Sequence, residues 1–485
     1  MRTLAMLASV VLAVGCNTGP ERATPLPMVS DLGGPHMAHP QLVQIFFSDD
    51  PDVDTLTSFG QWVVTSDWLT AVGAEYGVGH GSVLGVIHRT EPAPDMITDA
   101  QIVDLLFQGL ADGTLPRPAG GHLGDALYIV NLPAHTYVPS VGGSCVGFAG
   151  YHNSARRNGV ELIYAVVATC MFPDLTALEG REFVTSHELI EAATDPVPLE
   201  RPGIQLSDPT STWNAIGIEV GDLCGGVKAT WREAGFLAER TWSNVAAAVG
   251  DPCVPVPTSD PYYNVVVESH GLPRVPPGGE AEIKLTGWST GAVPDWSLSI
   301  EGTLPDGATY TLAAETLNAG KTTTLKISSP PLGGGDAPNN GLQLFLVSAR
   351  SQADSRVLPL LIAVDNPCSA STDCWECTRN LGCGFCAATG RCETAGANGS
   401  LESSCAATSF ATRPGSCPGF CAHFSASCGG CTVEPGCGWC DSGGAGRCLE
   451  ASPGLSQPLD GACPSADWSA SLGYCPAADR TPHAQ

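Results

Sequence analysis

Basic side chains are scarce in this chain. Only 22 Lys and Arg stand against 49 Asp and Glu, for a net charge of −27. That deficit excludes nucleic acid and anionic membrane faces as partners, because both need Lys/Arg-rich patches. Long apolar runs are missing too: beyond residue 14 no segment has the roughly eighteen uninterrupted apolar residues that a membrane helix needs. Residues 260 to 365 hold no cysteine and a single histidine, His270, so function is not expected to reside there. What is plentiful is turn-forming residues. The 57 Gly and 39 Pro among 485 residues predict a loop-rich, largely β product divided into three or more domains.

The amino terminus reads as an export signal. Arg2 precedes an apolar run from Leu4 to Val14, too short for a stable anchor, and Leu12-Ala13-Val14-Gly15-Cys16 follows. This resembles a bacterial lipoprotein signal. The resemblance implies cleavage after residue 15, a lipid on Cys16, attachment to the membrane through that lipid, and a location in the bacterial cell envelope, at the outer membrane or cell surface. Residues 16–40, with Pro20, Pro25, Pro27, Gly33, Gly34, Pro35 and Pro40, read as a tether.

The cysteine count supports export. Of 21 cysteines, setting Cys16 aside for lipid leaves 20 that can pair. Cys145, Cys170, Cys224 and Cys253 lie in the first half, and the other 16 lie between Cys368 and Cys475. Such density belongs to an oxidising compartment, where disulfides replace a missing core in small modules. The tail is an internal repeat of eight cysteines each, over 366–418 and 419–476. Gaps of two, five and two residues recur in the middle of both copies, and eleven residues precede each last cysteine. Each copy has an aromatic inside its closest pair, as Cys383-Gly384-Phe385-Cys386 and Cys437-Gly438-Trp439-Cys440. The pattern is similar to plexin-semaphorin-integrin (PSI) modules, which implies small four-disulfide knots used as spacers or docking wedges. The C-x-x-C pairs also fit zinc, but eight cysteines per copy in an exported chain favour disulfides. Residues 477–485 read as a disordered tail.

Between these ends two domains are expected. From 260 to 365, short alternating runs such as Tyr263 to Glu268, Ala281 to Leu285, Thr323 to Ile327 and Leu342 to Val347 are separated by Pro/Gly turns, the pattern of an all-β, Ig-like sandwich. Trp288 and Trp296 are expected in its core. Residues 41–256 mix apolar strands, Leu42 to Phe47 and Ala126 to Val130, with helical stretches, Trp68 to Glu75 and Ile97 to Gly109, and so predict an α+β domain.

Within this first domain lies Ser186-His187-Glu188-Leu189-Ile190-Glu191-Ala192-Ala193-Thr194-Asp195-Pro196, on a helix predicted from Phe183 to Thr194 and ended by Pro196. His187 and Glu191, four residues apart, project from one helix face and can close on a single ion. In the H-E-x-x-H pattern the i and i+4 histidines bind zinc and the intervening Glu is the general base. A carboxylate at i+4 still ligates, but it makes the metal a weaker Lewis acid. Further donors are Glu219, Asp222 and His152. Against this, Thr185 followed by Glu188 fits a capping box, which would give Glu188 only a backbone partner.

The ordered segments 74–88, 145–152, 164–170, 186–196, 211–227 and 240–253 resemble the phosphate-induced, exordium-like family of secreted proteins. His152, His187, Glu188, Glu191, Asp195, Glu219 and Asp222 fall on its motif positions. The likeness implies a metallopeptidase-like domain and pairing of Cys145 with Cys170 and of Cys224 with Cys253; spacing alone allows three pairings. The expectation is therefore a multidomain surface lipoprotein. His187 and Glu191 would hold a divalent metal such as Zn²⁺ with one of Glu219, Asp222 or His152, and Glu188 would polarise water in a hydrolytic reaction. The alternative is a non-catalytic adhesion or carbohydrate-binding protein of the cell envelope. Either would meet a cell-envelope polysaccharide or protein as its partner.

Overall fold

A computed structural model describes residues 26–475 apart from 330–340, 256–260, 452–457, 470–474 and shorter stretches. The expected signal, Cys16, residues 16–25 of the expected tether, His270 and the tail lie outside the described residues. Residues 26–40, also expected as tether, instead pack on the first domain, with Leu26, Val29 and Met37 buried and Val29–Asp31 paired with Ile204–Leu206. Among the described residues no helix is long and apolar enough to cross a membrane.

The first domain opens with β1 (Val29–Asp31), β2 (Gln41–Phe46), α1 (Val53–Val63), α2 (Asp67–Gly73), β3 (Ser82–His88) and α3 (Asp99–Asp112). Then come β4 (Ala126–Leu132), β5 (Gly150–Arg157), β6 (Val160–Ala168) and α4 (Ala177–Thr194). The sheet order is β3-β2-β4-β6-β5, parallel except for β5, which runs antiparallel along the β6 edge. The expected α+β mixture thus takes a layered form with helices on both faces. The cause is legible in β4, where all seven residues are buried. Leu127 and Ile129 face α1, α2 and α4, while Tyr128 and Val130 face α3, the period-two alternation of a strand covered on both sides.

The second half of this domain folds over α4. It comprises β7 (Ile204–Leu206), α5 (Asp222–Gly225), β8 (Thr230–Glu233), β9 (Phe236–Glu239), β10 (Thr241–Trp242), α6 (Asn244–Ala247) and β11 (Cys253–Val254). Strand β1 pairs with β7, β8 with β9, and β10 with β11. Helix α4 is therefore enclosed: from Val184 to Thr194 only His187 is not fully buried. It starts earlier than expected. Thr176 and Glu179 form the capping box, so Thr185 and Glu188 sit in mid-helix and the expected cap there is corrected. Glu188 is thereby released from any capping task.

The sandwich follows as two sheets. Strands β12 (Tyr263–Val267), β13 (Arg274–Val275), β14 (Glu280–Ser289), β15 (Trp296–Glu301) and β16 (Thr309–Leu312) are succeeded by β17 (Thr316–Leu317), β18 (Thr322–Ser328), β19 (Gly341–Ser351) and β20 (Asp354–Val364). One sheet has the order β12-β14-β18-β16 and the other β13-β20-β19-β15-β17. Trp296 is buried against Tyr263 at 5.2 Å, as expected, while Trp288 is only half-buried beside Tyr262. One continuous apolar cluster runs from the first domain through Trp213, Trp242 and Tyr262 into this sandwich.

All 16 tail cysteines are in disulfides, which removes the thiolates that a zinc site would need. Cys368–Cys383, Cys374–Cys417, Cys377–Cys392 and Cys386–Cys405 close the first copy. Cys421–Cys437, Cys428–Cys475, Cys431–Cys448 and Cys440–Cys463 close the second. Numbered within each copy, both pair first with fourth, second with eighth, third with sixth and fifth with seventh. Trp375 of the first copy packs on Phe420, His423 and Phe424 of the second. Arg274 of the sandwich donates to Leu381 O of the first copy at 2.5 Å.

One buried ion pair anchors α4. Arg181, fully buried, donates to Asp50 Oδ1 at 2.8 Å and Oδ2 at 2.5 Å and to Asp52 Oδ2 at 3.2 Å. Arg181→Met leaves the Asp50 charge buried and uncompensated and is expected to cost about 3–5 kcal/mol in urea unfolding. The double variant Arg181→Met with Asp50→Leu should recover most of that loss. An equal loss in both would assign the cost to packing of the arginine stem instead.

Candidate metal centre

Three elements deliver the acid and imidazole groups. Helix α4 presents His187, Glu188 and Glu191, β5 presents His152, and the stretch after β7 presents Glu219 just before α5 and Asp222 at its first position. Close approach depends on glycine at two places. A Cβ on Gly150 would lie 2.6 Å from Glu188 Oε1, and one on Gly221 would lie 2.7 Å from Glu191 Oε1 and 2.8 Å from His187 Nδ1. Only glycine lets strand and loop come this near the helix. The disulfides Cys145–Cys170 and Cys224–Cys253 form as the family likeness implied, one beside the start of β5 and the other tying α5 to β11.

The donors fall into two groups that share Glu191. On one side, His187 Nε2 lies 3.2 Å from Glu191 Oε2 and 3.8 Å from Asp222 Oδ1. On the other, His152 Nδ1 lies 3.4 Å from Glu188 Oε2 and 3.7 Å from the same Glu191 Oε2. In each group the ligand atoms lie within 4.8 Å of one another. Asp222 is thus the expected residue that joins His187 and Glu191. His152 sits with Glu188, and Glu219 lies behind His152, its Oε1 3.4 Å from Nε2. Asp195 is structural: its carboxylate accepts from Gly203 N and Gln205 Nε2, and its carbonyl accepts from His152 Nε2 at 3.0 Å.

One residue escaped sequence reasoning. Glu239, wholly buried at the end of β9, accepts from His187 Nδ1 at 2.6 Å and fixes the ring so that Nε2 faces Glu191 and Asp222. A carboxylate behind a ligating histidine is the usual way of orienting it and raising its basicity. The only signal was an acid closing the apolar run Phe236-Leu237-Ala238, and nothing in the sequence tied it to His187.

Burial sets the electrostatics. Glu188 Oε2, Glu219 Oε1 and Glu239 Oε1 are buried with no hydrogen-bond partner, a costly state for carboxylate oxygens. Burial, and then Glu191, push Asp222 up to about 7. Burial likewise pushes Glu239 up to about 7, against the pull of His187. Glu188 and Glu219 are also raised by burial. For His152 burial acts downward, but Glu219, Glu188 and Glu191 outweigh it and raise the ring to about 10. His187 is raised well above the ordinary histidine range by Glu191 and Glu239, again against burial. Glu191 is the exception: burial would raise it, yet His187 and His152 hold it low. The side chains of His187 and Asp222 retain 18% and 30% exposure, so the cluster opens to solvent on their side. A buried surplus of carboxylates around imidazoles, open at one face, is suited chemically to holding a divalent cation.

These shifts predict a pH dependence for chelator-treated protein. A carboxyl with a folded pKa above its unfolded value binds its proton more tightly when folded. The Asp222 and Glu239 contributions are therefore complete below about pH 4, the unfolded carboxyl range, and lost as pH rises through about 7. The calorimetric midpoint of the first domain should fall between pH 5 and 8, and Asp222→Asn should flatten that slope. A slope that Asp222→Asn leaves unchanged would remove Asp222 as its source.

No family profile matches the chain. Among solved structures, domains 4 and 5 of the S-layer protein SbsC align at 15% identity over 22% of this chain and 54% of that one, with a TM-score of 0.17. The chain thus spans about half the length of that S-layer fragment. OgpA from Akkermansia muciniphila aligns at 13% identity over 69% of this chain and 96% of that one, with a TM-score of 0.19. A Bacteroides ovatus GH5 xyloglucanase aligns at 8% identity over 21% and 19%, with a TM-score of 0.14. Likeness at this level carries no argument about fold or activity.

Proposed function

We propose that the first domain is a divalent-metal-dependent hydrolase, metallopeptidase-like in its use of α4, displayed on an exported cell-surface lipoprotein. The observation that carries this reading is the convergence of His187 Nε2, Glu191 Oε2 and Asp222 Oδ1, with Glu239 orienting the imidazole from behind. One imidazole and two carboxylates suit Zn²⁺ or another borderline divalent ion. Bound there, the ion would act as a Lewis acid and lower the pKa of a water. Glu188 supplies the proton acceptor: its Oε2 is buried and unpartnered, in the His152 group that meets the His187 group through Glu191 Oε2. Substrate and water enter from the exposed side of His187 and Asp222.

The rest of the chain suits surface display. The lipid signal at Cys16, the sandwich and two knots of identical disulfide pairing, read as PSI-like spacers, would hold the first domain away from the membrane. A cell-envelope polysaccharide or protein is then the substrate class within reach.

Protein purified without chelators should carry a divalent transition metal by elemental analysis, and His187→Ala should lower that content. On a panel of peptide, ester and glycoside substrates, Glu188→Gln should reduce turnover by about 10²–10⁴-fold. Metal-free protein, together with turnover indifferent to Glu188→Gln, would sink the proposal.

A further inference from the structure

Glu191 stands between two imidazoles that are built alike. Its Oε1 is engaged, accepting from Asp222 N at 2.9 Å. Its Oε2 faces His187 Nε2 on one side and His152 Nδ1 on the other, at 3.2 Å and 3.7 Å. Each ring has its outward nitrogen tied to an acceptor, Glu239 Oε2 for His187 and Asp195 O for His152. Those acceptors place the ring proton on the outward nitrogen. Unless a second proton charges the ring, each inward nitrogen then directs a lone pair at two carboxylate oxygens, Glu191 Oε2 and Asp222 Oδ1 for His187, and Glu188 Oε2 and Glu191 Oε2 for His152. Such an arrangement is repulsive unless something positive lies between.

The distances decide what that is. Charge-assisted hydrogen bonds close to about 2.7–2.9 Å, yet the inward contacts of His152 are 3.4 Å and 3.7 Å. Donor atoms held about 2.0–2.2 Å from one ion lie about 3.0–3.6 Å apart, as edges of an octahedron or tetrahedron. The His152 contacts match those edges as well as the His187 contacts do. Glu188 Oε2, on a side chain 2% exposed, points into the group and has no hydrogen-bond partner.

We propose that the centre takes a second divalent cation, held by His152 Nδ1 and Glu188 Oε2, with Glu191 Oε2 as the atom shared with the first. The inference rests on the first cation position proposed above. Occupancy of the second position engages the Glu188 oxygen that otherwise accepts the proton, so proton acceptance belongs to the singly loaded centre. Glu219 stays outside this shell, on the far side of the His152 ring.

The test is a titration of chelator-treated full-length protein with Mn²⁺, counting bound ions after desalting and recording electron paramagnetic resonance. Wild type should bind two equivalents, with an exchange-coupled spectrum from ions that share an oxygen. His152→Ala should bind one equivalent with an uncoupled spectrum, and Glu188→Gln, nearly isosteric, gives the same readout if His152→Ala fails to fold. A single equivalent in wild type that His152→Ala leaves in place overturns the second position and spares the first. Two equivalents that survive both substitutions also overturn it, since the second ion then sits elsewhere. No bound ion in wild type overturns both readings.

Discussion

The burial of α4 on every side is the constraint on which the rest of this molecule depends. A helix so enclosed would ordinarily be apolar, yet this one carries Arg181, Glu182, Glu188 and Glu191 inside. Each must find a partner or remain a cost. Arg181 finds Asp50, and Glu182 accepts from Leu237 N. Glu191 is held by His187, His152 and the amide of Asp222. Glu188 is left with a free oxygen. Carboxyl groups outnumber imidazoles in the cluster, and burial, reinforced by neighbouring carboxylates, lifts the protonation range of Glu188, Glu219, Asp222 and Glu239, while the imidazoles hold Glu191 low.

The scaffold brings this charge together and keeps it there. The sheet supplies β5 as an antiparallel edge whose His152 faces the helix, and the hairpin of β8 and β9 closes over the opposite side with Glu239. Ser186 Oγ accepts from Glu239 N, and Trp68 Nε1 donates to Glu239 O, so the backbone that carries the orienting carboxylate is fixed. Positions held from both sides give the imidazoles little freedom to turn, which is what a metal site asks of its ligands.

The cysteine-rich C-terminal region, residues 366–476, obeys a different economy. Its modules are too small for a sizeable apolar core, and four disulfides in each take that role. The identical pairing order in both copies makes them structural repeats, and Trp375 packed on Phe420, His423 and Phe424 joins them side by side.

Much of this was written locally in the chain. Domain order, the sandwich strands, the cysteine repeat and the His187/Glu191 pair all follow from periodicity and spacing, because each depends on residues a few positions apart. The start of α4 was misread because Thr185 and Glu188 have the same spacing as the true cap at Thr176 and Glu179, and only the packed backbone distinguishes them. Glu239 was invisible, because its partner His187 is 52 residues away and no local pattern links them. The division of the donors was likewise decided by tertiary structure. Sequence made His152, Glu219 and Asp222 equivalent candidates, while the direction of β5 and the turn into α5 put Asp222 beside His187 and His152 beside Glu188 on the far side of Glu191. Which side chains can share an ion is a matter of a few ångströms between distant segments, and that is settled only when the sheet, the helix and the covering hairpin have packed.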